Sequence, residues 1–206
     1  MEPTWPALLT DLIGHRALGA AETAWAMDQV MAGNTPPATL AAFLAALATK
    51  GETVAELRGL ADSMLAHARS IELPTSTLDI VGTGGDRART VNISSMAALV
   101  IAGAGVPVVK HGNRASSSAS GSADLIEELG VSLAMPVEKV EEALGAVGIT
   151  FLFANLFHPS MRFAAPTRRE LGIATAFNVL GPLTNPGRPH ASAIGVSSAR
   201  HAPLVA

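Results

Sequence analysis

The spacing of apolar residues changes once along this 206-residue chain, and that change constrains the fold more than any other feature. Up to about residue 70 they recur every three or four positions, as one face of a helix requires. Leu8, Leu9, Leu12 and Ile13 make one stripe, and Ala20, Ala24, Met27 and Met31 make a second that Gly33-Asn34 stops. Pro36 and Pro37 open a third helix with Leu40, Phe43, Leu44 and Leu47 on one side, closed by Gly51. Thr53 and Glu56 have the spacing of a capping box, and Val54, Leu57, Met64 and Leu65 follow. No strand pattern interrupts this stretch, so it predicts a small helical bundle.

Around Leu73-Pro74-Thr75 the pattern becomes alternating strand and helix. Short apolar runs at 78–81, 106–109, 131–134, 149–153 and 191–196 read as strands. Between them, helical spacing is expected over 94–104, 122–129 and 137–147, and helical and loop signals over 159–186. Strand, helix and strand in succession argue for parallel βαβ units. The expectation is an α/β protein: a small N-terminal helical-bundle domain over 1–74, joined by helices from about 160–186, and a larger, mostly parallel α/β domain over 75–206. The last strand lacks its covering helix, which would leave an apolar face open, so this domain reads as truncated.

The net charge is −3, so no global basic field recruits nucleic acid, and any bound anion must be held by local geometry. Cysteine is absent, which removes disulfides, thiolate catalysis and thiolate zinc sites. The six histidines are scattered without a metal-ligand spacing. The first residues do not form a secretory leader, and the longest apolar stretch, from Met96 to Val109, is too short to span a bilayer. A soluble, cytoplasmic protein without membrane partners is expected.

Two turns carry the chemistry. The first, Asp79-Ile-Val-Gly-Thr-Gly-Gly-Asp86, runs from a strand into three glycines. Such a turn leaves backbone N–H groups available and lets a phosphate approach without meeting a Cβ. Thr90, Asn92, Ser94 and Ser95 then lead into a helix whose N-terminal dipole favours an anion. Alone, this turn is equally a strand-to-helix connection that needs glycine. The second, Lys110-His-Gly-Asn-Arg-Ala-Ser-Ser-Ser-Ala-Ser-Gly-Ser-Ala-Asp124, offers Lys110 and Arg114 as cationic donors and a row of serine hydroxyls. It too follows a strand, where open α/β sheets bind ligands. A flexible Ser/Gly linker is the alternative, but linkers rarely begin Lys-His-Gly-Asn-Arg and end in a helix start. If the two strands are neighbours, both turns face one crevice and suit a ligand with two separated phosphate groups.

These turns occur in order with Asn92-Ile-Ser-Ser95, Ser120-Gly-Ser-Ala-Asp124, Arg168-Arg-Glu-Leu-Gly172 and Phe177-Asn-Val-Leu-Gly-Pro-Leu-Thr-Asn-Pro186. Together they closely resemble the anthranilate phosphoribosyltransferases, and the likeness runs the length of the chain. The resemblance implies a site between a helical and an α/β domain and a homodimer formed through the helical domains. The implied reaction displaces diphosphate from 5-phosphoribosyl 1-diphosphate by the amine of anthranilate, in tryptophan biosynthesis, with Mg2+ as cofactor. Residue by residue, it implies that Gly82, Gly85, Asp86 and Thr90 contact the phosphoribosyl donor. Asn92, Ile93, Ser94 and Ser95 would hold the diphosphate, with Ser94 also a magnesium contact. Lys110, His111, Gly112, Asn113, Arg114, Ala115, Ser116, Ser117 and Ser118 would wrap the donor, and Ser122 would add a hydroxyl. Gly82 and Asn113 would meet anthranilate and Arg168 would pair with its carboxylate. Read without the family, Arg168 beside Arg169 and Glu170 is an exposed helical cation. His111 and His158 would line the acceptor channel or, read locally, sit solvated in loops. No residue is assigned as a general acid or base, because catalysis of this kind is positional and electrostatic.

The chain departs from the family at Ala119, where many relatives carry a basic residue, and at Asn155, where proline is common. The family's Asp-Glu magnesium pair lies further along the α/β domain and has no counterpart here. Glu127-Glu128 and Glu141-Glu142 are expected on helices away from the turns. A piece of a longer protein, with little or no activity by itself, is therefore expected. Two other readings stay open at this point: a pyrimidine nucleoside phosphorylase on the same architecture, and a non-catalytic homologue that binds nucleic acid.

Overall fold

The computed structural model describes residues 2–73, 76–84, 91–115 and 120–206. Four helices come first: α1 (Trp5–Ile13), α2 (Ala20–Met31), α3 (Pro37–Lys50) and α4 (Val54–Ala66). Strand β1 (Leu78–Gly82), α5 (Ile93–Gly103), β2 (Val108–Gly112), α6 (Ser122–Glu128), α7 (Val137–Val147), β3 (Ile149–Phe153) and α8 (Ala154–Phe157) follow. A 3-10 turn over Pro159–Phe163 leads to α9 (Ala165–Leu171) and α10 (Phe177–Leu183), then β4 (Ala191–Gly195) and α11 (Ala202–Val205). None of these helices is long and apolar enough to cross a membrane among the described residues.

The chain forms two compact units. One comprises Met1–Ala68, His158–Thr184 and Arg200–Ala206, and the other Arg69–Phe157 and Asn185–Ala199. In the helical unit, Leu40, Phe43, Leu44 and Leu47 are all buried, as their spacing predicts, with Leu8, Leu12, Met27, Met31, Leu57 and Leu60. Ile13 is the exception on the first stripe and lies in solvent. Trp5 packs against Trp25 and Phe43 with ring centroids 5.4 and 5.5 Å apart. The capping box forms: the Glu56 N–H donates to Thr53 Oγ1, and the Thr53 N–H donates to Glu56 Oε2. Glu56 is fully buried, and it also accepts from the Leu18 N–H and from Lys50 Nζ at 2.9 Å. Gly59 lets α2 and α4 approach closely, since a Cβ there would stand 2.1 Å from Ala20 O.

The α/β unit holds a four-stranded parallel sheet in the order β3-β2-β1-β4. Neighbours β2 and β3 pair from Val108↔Ile149 to Gly112↔Phe153, and β1 and β4 from Leu78↔Ala191 to Gly82↔Gly195. The chain crosses back over β1 to lay down β4, so strand order reverses beside β1, where such sheets bind ligands at their carboxyl ends. Ile71, Val109, Val140, Leu144, Leu152 and Phe157 form the core beneath β2 and β3. The strand expected at 131–134 is absent; those residues make a turn, and Leu133 packs with Ala123 and Ile126 instead. An apolar face is exposed on α5, at Ile93, Met96, Leu99 and Val100, and β4 is largely exposed.

Candidate functional site

The carboxyl ends of β1 and β2 are neighbours, so the two turns that follow them meet. Among the described residues, side-chain hydrogen bonds join them. Lys110 Nζ, on β2, donates to Ser94 Oγ in the first turn of α5 at 3.1 Å, and Asn92 Nδ2 reaches Ser120 Oγ at 3.3 Å. Asn92, Ile93, Ser94 and Ser95 therefore form the N-terminus of α5 directly beside Lys110. The helix dipole and its leading amides favour an anion there.

Lys110 and His111 are not turn residues. They continue β2, and both are buried. The Lys110 ammonium donates to Ile80 O at 2.6 Å as well as to Ser94. Burial lowers its pKa to about 8, while the nearby Asp79 carboxylate works in the opposite direction. Asp79, fully buried, has its own pKa raised by burial, against bonds from Asn185 and the His111 N–H and the charge of Lys110. His111 and His158 are both buried, so neither is a solvated loop histidine. His158 belongs to the helical unit, where its Nε2 lies 2.9 Å from Thr184 O.

The first turn is held from β4. The Thr83 N–H donates to Gly195 O, and Ser197 Oγ donates to Gly84 O at 2.8 Å. Gly84 has φ +65°, a left-handed conformation that favours glycine. Gly82 is different, for a Cβ there would meet Gly195 O at 3.5 Å, an ordinary contact. Among the described residues, no contact requires glycine at 82. Gly85, Asp86 and Thr90 lie outside the described residues.

In the second turn Arg114 departs from the expected free cation. Its Nη1 donates to Asp124 at 3.1 Å and Glu127 at 2.7 Å, its Nη2 donates to Glu127, and it lies over the Phe153 ring. Glu127 is on a helix, α6, as expected, but its side chain reaches this turn rather than lying away from it. Asp124 Oδ2 accepts from the N–H groups of Ala115 and Gly121, which ties the two ends of the turn together and lowers the carboxyl's pKa. Gly121 is obligatory at that neck, since a Cβ would stand 2.4 Å from Ala115 N, and a Cβ at Gly112 would crowd Ser122 Oγ and the Phe151 ring. Ser122 Oγ faces Asn113 O at 3.5 Å, and Asn113 Nδ2 donates to Asn155 Oδ1 at 3.3 Å. Ser116, Ser117, Ser118 and Ala119 lie outside the described residues.

Arg168 sits on α9 in the helical unit and is half-buried rather than exposed, while Arg169 and Glu170 face solvent. Its guanidinium stacks 4.7 Å from the Phe177 ring centroid, and burial lowers its pKa. No carboxylate pairs with it among the described residues. The planar fork of a stacked, partly desolvated guanidinium has the geometry to bind a carboxylate in bidentate fashion.

Three groups around β1 and β2 receive no role from the sequence: Asp79, Asn185 and Ser197. Asp79 had a signal, a carboxylate inside the apolar strand run Leu78-Asp-Ile-Val81. Asn185 stands inside the Phe177–Pro186 motif without a role of its own, and Ser197 had no signal, because the groups it binds, Thr83 and Gly84, are more than a hundred residues away.

Magnesium takes oxygen ligands and is commonly held by one or two protein groups plus substrate phosphates. Ser94 Oγ offers one such oxygen at the N-terminus of α5. Among the described residues, no group of three or more His, Cys, Asp or Glu side chains is arranged to hold a metal. Ser94 Oγ, a hard oxygen at a helix N-terminus, fits the donor set of a magnesium ion that phosphate oxygens also hold.

Comparison with known proteins shows the family. Residues 6–68 match the glycosyl transferase family, helical bundle domain, and residues 74–206 match the glycosyl transferase family, a/b domain. Anthranilate phosphoribosyltransferase of Arthrobacter sp. (strain FB24) is 60% identical over 98% of this chain and 58% of its own length. The crystal structure of the Thermus thermophilus anthranilate phosphoribosyltransferase superposes with a TM-score of 0.90 at 47% identity, over 96% of this chain and 60% of that one. The Saccharomyces cerevisiae enzyme in complex with PRPP and Mg gives a TM-score of 0.88 at 31% identity, over 97% and 60%. This chain thus spans about 60% of the length of the relatives it matches.

Proposed function

The chain belongs to the glycosyl transferase family that joins a helical bundle to an α/β domain, and we propose that the protein carrying it is an anthranilate phosphoribosyltransferase. It would transfer the phosphoribosyl group of 5-phosphoribosyl 1-diphosphate to the amine of anthranilate, a step of tryptophan biosynthesis. The observation that carries this reading is the junction of the two turns, where Lys110 meets Ser94 at the N-terminus of α5. An ammonium, hydroxyls and helix amides converge there on a place suited to a diphosphate.

Bond breaking at C1 of the ribose builds positive charge on the sugar and negative charge on the leaving diphosphate. The protein's work is then to hold both reactants in register and to stabilise the departing anion. Asn92, Ile93, Ser94 and Ser95 would hold the diphosphate, and Lys110 would neutralise part of its charge. Gly82, Gly85, Asp86 and Thr90 would line the donor from β1. His111, Gly112, Asn113, Arg114, Ala115, Ser116, Ser117, Ser118 and Ser122 would enclose it from β2. For Arg114 the observed bonds to Asp124 and Glu127 favour bracing the turn over a direct charge contact. Gly82 and Asn113 would contact the acceptor, Arg168 would take its carboxylate, and His111 and His158 would border its path. Bound Mg2+ would neutralise the leaving diphosphate, with Ser94 Oγ among its ligands. A homodimeric, cytoplasmic protein fits this assignment.

The test is turnover by the full-length protein, followed by the loss of anthranilate fluorescence with 5-phosphoribosyl 1-diphosphate and Mg2+. Saturable, donor-dependent consumption of anthranilate is expected. Phosphorolysis of thymidine or uridine without anthranilate turnover would replace this reading with a nucleoside phosphorylase.

A further inference from the structure

Strands β1 and β2 are neighbours, yet their pairing register contains the single match Leu78↔Val108, whereas β2 and β3 match at five positions. In a parallel pair every second residue directs its N–H and C=O at the same neighbour. The Val108 N–H donates toward β3, to Gly148 O, so Val109 and His111 present their groups to β1. The Leu78 N–H donates to Pro107 O, so Ile80 presents its groups to β2. A continued ladder would join these groups to each other. Instead side chains take them. Val109 O accepts from Asn185 Nδ2 at 2.9 Å, the His111 N–H donates to Asp79 Oδ1 at 3.2 Å, and Ile80 O accepts from Lys110 Nζ at 2.6 Å.

Asn185 is saturated. Its amide nitrogen donates to Asp79 Oδ2 at 2.8 Å and to Val109 O, and its oxygen accepts from the Gly187 N–H at 2.9 Å. Turning the amide over would set oxygen against Val109 O and N–H against the Gly187 N–H, so one orientation is enforced. Asp79 in turn has each carboxylate oxygen bonded, and its charge lies near the Lys110 ammonium. Asp79, Asn185 and Lys110 are all buried, so the arrangement is a built one rather than a surface contact.

We propose that Asp79 and Asn185 are positioning residues for the phosphoribosyl donor: they hold β1 and β2 apart beyond Leu78 and Val108, and so seat the Lys110 ammonium against Ser94 at the N-terminus of α5. This rests on reading that region as the donor site. Neither residue touches the donor; both act through Lys110. Without them the strands can close into a regular ladder, or the ammonium can swing away from Ser94.

The experiment is a double-mutant cycle in the full-length protein, with Asp79→Asn, Asn185→Ala and Lys110→Met, reading KM for each substrate and kcat at saturating Mg2+. Asp79→Asn and Asn185→Ala are each expected to raise the donor KM roughly tenfold, the loss of about one charge-assisted bond, and to leave the anthranilate KM within about twofold. Combined with Lys110→Met, either change should add little, because the effects pass through one ammonium. A role confined to stability would lower the folded fraction without moving the donor KM of the molecules that fold. An unchanged donor KM in folded Asp79→Asn and Asn185→Ala, or full additivity with Lys110→Met, overturns the inference. A wild-type protein that does not bind 5-phosphoribosyl 1-diphosphate removes the donor-site reading itself, and the inference with it. If neither variant folds, hydrogen exchange on the wild type decides. Saturating donor should slow the His111 and Gly187 amides, which Asp79 and Asn185 hold, and unchanged rates overturn the proposal.

Discussion

Arg168 and Gly82, both proposed to contact substrate, stand in very different surroundings. Arg168 is a half-buried guanidinium stacked on Phe177 with no carboxylate beside it among the described residues. Changing it to alanine in the full-length protein should weaken anthranilate binding roughly tenfold to a hundredfold, the worth of a charged hydrogen-bonded pair. Lysine should restore little, because the planar fork is lost. Steady-state kinetics with varied anthranilate checks this, and an unchanged acceptor KM would remove the role. At Gly82, the described protein leaves room for a Cβ, which would meet Gly195 O at 3.5 Å. Gly82→Ala should therefore shift stability by no more than about 0.5 kcal/mol. Donor affinity by calorimetry should nevertheless fall roughly tenfold, if the bare Cα is there for phosphate. A large loss of stability with intact affinity would make Gly82 a structural glycine.

Individual elements are fixed by different physics at their ends and along their faces. The start of α4 is a capping box that the sequence spells out at Thr53 and Glu56, but its burial is tertiary. Glu56 also binds Leu18 and Lys50, whose side chain is only 6% exposed. Glu56→Ala would leave a buried ammonium without its counter-charge and two amide N–H groups without their acceptor. A loss of about 3–5 kcal/mol in urea unfolding is expected, as for other broken buried pairs. A change below about 1 kcal/mol would mean that water replaces the carboxylate. The strand expected at 131–134 failed for a related reason. A short apolar run does not specify a strand, and Leu133 satisfies its hydrophobicity against Ala123 and Ile126 without joining the sheet.

Over the whole molecule, His158 links stability to pH. It is buried in the helical unit, and burial lowers its pKa while its bonds to backbone carbonyls oppose that shift. A histidine whose folded pKa is depressed takes up its proton more readily when unfolded. Its contribution is complete above the ordinary histidine value of 6.5 and is lost as the pH falls below it. The urea midpoint should therefore fall between about pH 7 and pH 5, and His158→Gln should flatten that slope. Equal slopes in the two proteins would assign the pH dependence to other groups.

The helices of the bundle, the four strands and the two turns were legible because each depends on neighbours a few residues apart: helical period, short apolar runs, glycine and proline. The order β3-β2-β1-β4 and the wedge of Asp79 and Asn185 were not, because a hydrogen bond between residues 106 positions apart has no local signature. For the same reason Arg114 read as a free cation until Asp124 and Glu127 were seen to bind it, and Lys110 read as a turn residue until β2 was seen to bury it. Sequence alone determined which chemical groups this protein has to offer and the elements that carry them. Tertiary structure decided which of those groups are already engaged with one another, because desolvation and long-range pairing exist only once the sheet has formed.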